Sequence, residues 1–179
     1  VCHAITGLYT PDRELVQTCL ESYGEPLPDR ASGWRLREED TPSRRVADLQ
    51  EMSGLLSMLG ERLGYAVSGE MPLVWKSADG VTDYTFYPIA SAVAGRYLLS
   101  EPSLSRKACL VLPGGRANLL TYKLQRDPRL KRAAQTGWHF IKFRHLRRIA
   151  DIPVLTRETW SEQIEFDPPE TKATQMDMF

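Results

Sequence analysis

Between residues 104 and 149 the chain sets twelve Lys and Arg against one acid, Asp127. Positive side chains at that density are suited above all to binding phosphate. Arg126, Arg129, Lys131 and Arg132 fall on the outer side of two predicted helices, and Lys142, Arg144, Arg147 and Arg148 crowd the end of the stretch WHFIKFRHLRRI. Clustered charge raises the local potential by several kT and draws a polyanion from a distance. Phosphate contacts from such residues give affinity without reading bases. If the two groups become neighbours on folding, they form one DNA-binding face. The whole chain nevertheless balances 23 basic against 23 acidic residues, because residues 1–103 hold 9 basic and 15 acidic and the last thirty hold 2 and 7. The opposing expectation is that the halves pair with each other, leaving a protein-interaction module with no nucleic-acid role.

A second phosphate-binding feature is Pro113-Gly114-Gly115-Arg116, which joins the apolar run KACLVL to a predicted helix. Backbone N–H groups and a helix N-terminus hold phosphate at such a junction, with Arg116 and Asn118 beside it. The plain alternative is a strand-to-helix turn in which glycine supplies a positive φ. No GxxxxGK[ST] or GxGxxG pattern surrounds it, which speaks against a nucleotide pocket. Hydrolysis by a Ser-His-Asp or Cys-His set needs a histidine held by an acid, whereas His139 and His145 sit among cations and no GxSxG elbow exists. Both are expected to pack or to touch phosphate. Trp138 and Phe140 could stack on single-stranded bases, but their alternation favours the core. Cys2, Cys19 and Cys109 form no CxxC pair, so reduced thiols and no structural zinc are expected, Cys109 being an inert core thiol.

The elements that must position these residues are legible in the hydrophobic pattern. RELVQTCLESYG predicts a helix entered through Thr10-Pro11-Asp12 and stopped by Gly24, and EPLPDRASGW a loop. In RVADLQEMSGLLSMLGERLG, Val46, Leu49, Met52, Leu56, Leu59 and Leu63 recur at helical spacing, with Thr41 or Ser43 as cap and Gly64 as stop. YAVSGE, PLVWKS and VTDYTFYPIASAV predict a strand meander, the last two joined as a hairpin at Ala78-Asp79-Gly80. KACLVLP predicts a strand buried on both faces. RANLLTYKLQR and PRLKRAAQ predict helices, the second opened by Asp127 and Pro128. Residues 138–143 predict a strand, and HLRRIADIPVL a short helix ended by Pro153. The expected fold class is α/β (α+β), a small mixed sheet flanked by helices. Residues 1–43 read as an N-terminal helix-and-loop arm, 44–160 as the core, and 161–179, acidic and proline-bearing, as a disordered tail. No apolar run approaches the ~18 residues needed to cross a bilayer and no secretory signal opens the chain, so a cytoplasmic address without membrane contact is expected.

The order helix, strand meander, buried strand, helix, strand, helix over residues 44–150 resembles the restriction-endonuclease-like superfamily, known by its PD-(D/E)xK motif. The resemblance implies that an active member would carry an Asp on the second core strand and an acid-x-Lys on the third. Those carboxylates would hold Mg²⁺, which prefers oxygen ligands, against the scissile phosphate, while the Lys positions or activates water. Asp83, in VTDYTFYP, stands near the first position. The run FYPIASAV that follows holds neither acid nor Lys, and the one Glu-x-Lys in the chain is Glu170-Thr171-Lys172. The resemblance therefore implies a degenerate, non-catalytic DNA-binding module of a bacterial DNA-processing or defence system that needs no cofactor. The alternative is an active Mg²⁺-dependent endonuclease using Asp83 with displaced ligands drawn from Glu70, Asp79 and Lys76.

The chain ends QMDMF. This resembles the peptide by which many bacterial DNA-processing proteins bind the β sliding clamp: Gln, an apolar residue, Asp or Ser, then an apolar-Phe pair. Met176, Met178 and Phe179 would fill an apolar groove and Gln175 would hydrogen-bond at its edge, with Met replacing the usual Leu at two places. The N-terminal arm reads as a piece without its neighbour, so other domains or subunits of a larger assembly are expected partners beside DNA and the clamp.

Overall fold

A computed structural model of the chain describes residues 11–29, 33–99 and 107–165. Helix α1 (Arg13–Tyr23) leads into a small ribbon of β1 (Gly24–Pro26) and β2 (Trp34–Leu36), and α2 (Pro42–Arg62) follows. Three short strands come next, β3 (Ala66–Ser68), β4 (Leu73–Lys76) and β5 (Thr82–Pro88), then a single helical turn α3 (Gly95–Leu98) and β6 (Lys107–Leu112). The chain continues through α4 (Ala117–Arg126), α5 (Pro128–Ala134), β7 (Trp138–Lys142), α6 (Phe143–Ala150) and α7 (Arg157–Glu165).

The main sheet has the order β3-β4-β5-β6-β7. Its first three strands are antiparallel and its last three parallel. The reason is connection length. β4 and β5 are joined by a tight turn in which Gly80 takes φ 80° and Asp79 Oδ1 accepts from Ser77 Oγ and Val81 N–H at 2.6 and 3.1 Å. Joining β6 to β7 in parallel needs a crossover, which α4 and α5 supply. Alternation along β6 sends Cys109 and Val111 to one face and Leu110 and Leu112 to the other. On the first face α2, α6 and α7 contribute Leu56, Leu146 and Trp160 to a core around Trp75 and Phe86. On the second, Leu98, Leu120 and Leu124 from α3 and α4 cover the sheet, with Leu130 of α5 packed beside them. This is the predicted α/β arrangement of a mixed sheet between helices.

Several local expectations change. The Thr41 hydroxyl donates to Glu38 O at 2.9 Å and caps nothing, so α2 starts on Pro42 at its first position instead. Residues 161–165, expected to belong to the tail, instead continue α7 to Glu165, with Trp160 0% and Ile164 3% exposed, because their i, i+4 spacing puts both on the core face; residues 166–179 lie outside the described residues. The N-terminal segment does not stand apart either. Ser22 Oγ donates to Gly115 O at 2.8 Å and Ala92 N–H donates to Tyr23 Oη at 3.1 Å, fastening α1 to the loops that follow β5 and β6. Gln175, Met176, Met178 and Phe179 lie outside the described residues, as does Cys2. Cys19 and Cys109 are free thiols, and complete burial pushes the Cys109 thiol up. Among the described residues no helix is long and apolar enough to cross a membrane.

Candidate nucleic-acid interface

The carboxyl end of β6 delivers the chain to Pro113, and Gly114–Arg116 form a 3-10 turn that runs directly into α4. Neither glycine has a positive φ, which overturns the expectation of a turn that needs glycine for its dihedrals. A Cβ on Gly114 would meet nothing nearer than Arg144 Cδ and Nε at 4.0 Å, and one on Gly115 would meet Ser22 O at 3.5 Å and Arg37 Nη1 at 3.6 Å. These are ordinary contacts, so the packing does not demand glycine either. What the pair creates is a bare stretch of backbone flanked by two guanidinium groups, Arg144 from α6 and Arg37 from the loop before α2. Neither α4 nor α6 has a side-chain cap or an acid in its first turn, so no carboxylate of either helix offsets the partial positive charge at its start.

Arg116, expected to stand exposed at this turn, is 2% exposed. Its guanidinium pairs with the Asp40 carboxylate, itself 4% exposed, donates to the Ser22 carbonyl and lies 3.7 Å above the Tyr23 ring. It leaves the predicted phosphate-binding set because burial and Asp40 take up its charge. Arg116 Nε has no hydrogen-bond partner among the described residues; the residue borders a small cavity whose wall mixes Arg37 and Arg45 with Glu39, Asp40 and Asp48.

The other predicted cations divide. Arg126 pairs with Glu14 and with Asp12 at 3.6 Å, and Arg147 grips Glu51 through bonds of 2.7 and 2.8 Å. That grip holds the Glu51 carboxyl below its usual range. Internal pairing with the acidic half is therefore real for these two. Arg129 leans on Asp127 at 3.5 Å while remaining 74% exposed. Lys131, Arg132, Arg144 and Arg148 are exposed and form no ion pair among the described residues. Lys142 ends β7, half-buried, as the residue before α6. The two groups do not form the single face that was expected. The crossover packs Leu130 of α5 on one side of the sheet, while the chain leaving β7 turns back and packs Leu146 of α6 on the other. His145 is buried, and its Nε2 lies 2.8 Å from Gln163 O, a packing role. Trp138 and Phe140 are half-buried against the second core.

Asp83 sits elsewhere, at the amino ends of β5 and β6. Trp75 pairs with Tyr84 and Lys76 with Thr82, so Asp83 is the extra residue of a β-bulge. A bulge re-aims the side chains beside it, and both Asp83 and Tyr84 line a cavity of about 350 Å³ with Tyr65, Lys107, Arg157 and Ser161. Lys107 Nζ donates to Ser161 Oγ at 2.8 Å, and burial pushes the Tyr84 phenol up to about 12. Glu70, Lys76 and Asp79 are exposed on the meander and do not line this cavity. Among the described residues no group of three His, Cys, Asp or Glu is placed to hold a metal ion. Glu70 and Asp79 are thus not grouped with Asp83 as metal ligands among the described residues, whereas Lys76, paired with Thr82, stands beside the bulge. Sequence reasoning missed Arg37, Lys107, Arg157 and Ser161. Arg157 and Ser161 stand four residues apart on α7, whereas Lys107 comes from β6 and Arg37 from the loop before α2, so no single local spacing marks the set.

In comparisons with known proteins, no family model, no curated protein and no solved structure matches this chain.

Proposed function

We propose that the chain binds DNA through its phosphate backbone at the carboxyl edge of β6 and β7, as a nuclease-like module that does not itself cleave. The observation that carries this reading is the Gly114–Gly115 turn: glycine is required there by neither dihedral nor packing, and Arg37 and Arg144 flank it. A phosphate oxygen approaches such a turn closely and meets the backbone N–H groups of Gly114 and Gly115, which precede the Arg116 and Ala117 N–H groups that close the turn onto Pro113 O and Gly114 O, while the two guanidiniums neutralise its charge. A helix, an antiparallel meander and parallel strands joined by a crossover, in that order, support the restriction-endonuclease-like resemblance. The pairing of Arg126 and Arg147 with acids favours a second reading, a module whose basic and acidic parts serve only each other.

Binding to a 20-base-pair duplex, followed by fluorescence anisotropy across a salt series, separates the readings. With about three phosphates contacted, the log-log salt slope should be roughly −2.7, and each arginine removed should make it shallower by about 0.9. Arg37→Ala with Arg144→Ala should weaken binding on the order of tenfold, or about 1.4 kcal/mol. Gly114→Ala should weaken binding without lowering the melting temperature. Affinity and slope indifferent to all three changes would leave the second reading. Mg²⁺ should produce no cleavage of plasmid; cleavage that vanishes in Asp83→Ala would establish the endonuclease alternative.

The terminal QMDMF extends the proposal to a partner. A peptide with this ending should bind a bacterial β sliding clamp at micromolar strength, about −8 kcal/mol. Phe179→Ala should cost ~2 kcal/mol, as an aromatic anchor seated in a pocket does. Isothermal calorimetry showing no heat of binding would reject the motif.

A further inference from the structure

The second face of the sheet carries a row of aromatic rings that core formation does not fully enclose. Tyr87 on β5 and Trp138 on β7 meet with ring centroids 5.4 Å apart, although β6 runs between their strands. They meet because Trp138 pairs in register with Ala108 and Tyr87 with Leu110, so only the Ala108 methyl stands on this face beside Trp138. Tyr97 of α3 extends the row, its centroid 5.3 Å from that of Tyr87. All three rings are half-buried. The rim is cationic. The Arg96 guanidinium lies 5.0 Å over the Tyr97 ring, and α5, which approaches α3 where Leu130 Cδ2 lies 3.5 Å from the Cβ position of Gly95, carries Arg129, Lys131 and Arg132.

We propose that this aromatic row, with Arg96 and the cations of α5, takes single-stranded DNA, whose bases stack on the rings while its phosphates meet the cations. The inference rests on the DNA-binding reading above and adds the strandedness of the ligand. Every base has a π-face and stacks on an aromatic ring whatever its identity, which is why basic grooves with aromatic platforms hold single strands with little sequence preference. In a duplex those faces are covered by neighbouring base pairs, so a row of half-buried rings offers it nothing. Charge complementarity selects this occupant over an apolar partner: Arg96, Lys131 and Arg132 form no ion pair among the described residues, and Asp127 is the only acid on α3, on α5 or at the cap of α5.

The test compares a 20-nucleotide oligothymidylate with a 20-base-pair duplex at one salt concentration. The single strand should bind more tightly. Tyr97→Ala should lower its affinity by roughly 5- to 100-fold, the loss of one stacked base, and leave duplex affinity unchanged, while Tyr97→Phe should retain binding. Arg96→Ala, at an exposed position, should weaken the single strand too, so the inference does not depend on one variant folding normally. Duplex binding that needs Arg144, with no preference for the single strand and no effect of Tyr97→Ala or Arg96→Ala, would overturn this inference alone. Binding of neither form would overturn the DNA-binding reading with it.

Discussion

Arg116→Ala should destabilise the protein by about 3–5 kcal/mol, the range found when one partner of a buried ion pair is removed. The Asp40 carboxylate would stay in the interior without its principal donor, and the Ser22 carbonyl would lose the guanidinium that serves it. Arg45 stands 3.6 Å from Asp40 and offsets only part of this, because its geometry is not that of a hydrogen bond. At about 2–4 °C per kcal/mol for a chain of this size, the melting temperature should fall by roughly 6–20 °C. Pairing Arg116→Met with Asp40→Leu should cost much less, since both charges then leave the interior together. DNA affinity should also drop in Arg116→Ala although Arg116 reaches no ligand, because it holds Ser22 at the end of α1, and Arg37 donates to the adjoining Glu21 O. Urea denaturation of the single and double variants measures the difference; a loss below about 1 kcal/mol in Arg116→Ala would mean that the pair does not hold the N-terminal helix in place.

Trp160→Ala should be as damaging, about 3–5 kcal/mol, the usual cost of emptying a core site of a large aromatic. Trp160 is fully buried, with its ring centroid 4.9 Å from Trp75, 6.0 Å from Phe86 and 6.1 Å from Tyr84. Trp160→Phe should cost far less, because the indole Nε1 has no hydrogen-bond partner among the described residues and removing an unmatched polar atom offsets part of the lost volume. Thermal melts of the two variants check this. Near-equal, small effects would place α7 outside the cooperative core.

The composition misled there for a definable reason. FDPPETKATQ is proline-bearing and acidic, and SEQIE before it shares the acidic character, with Ile164 alone signalling the core. One apolar residue is too little for a periodicity reading; it becomes decisive only beside Trp160 on the same helix face. The Gly114–Gly115 turn shows the complementary case. The sequence marks it as a junction between strand and helix, but whether glycine serves φ, packing or an approaching ligand depends on dihedrals and neighbours. The neighbour that matters most, Arg144, arrives from another helix.

By itself the sequence determined the fold class and most elements, though not the β1–β2 ribbon, read as a loop, or α7: α2 from its 3.6-residue spacing, the meander from short β-branched and aromatic runs between turns, β6 from an unbroken apolar run, and α5 from Asp127 and Pro128, the Asp127 carboxylate accepting from Arg129 and Leu130 N–H. These signals are local, because a helix or strand is defined by residues within a few positions of one another. Only the tertiary structure decided which cations remain available to a ligand. Arg126 meets Glu14 across 112 positions of sequence and Arg147 meets Glu51 across 96. Arg116 is taken inside by Asp40, and α5 and α6 are set on opposite faces of the sheet. Charge counted along the chain fixes how much positive charge there is, but its pairing depends on which distant carboxylate the fold brings within a few ångströms, where Coulomb attraction and hydrogen bonding act.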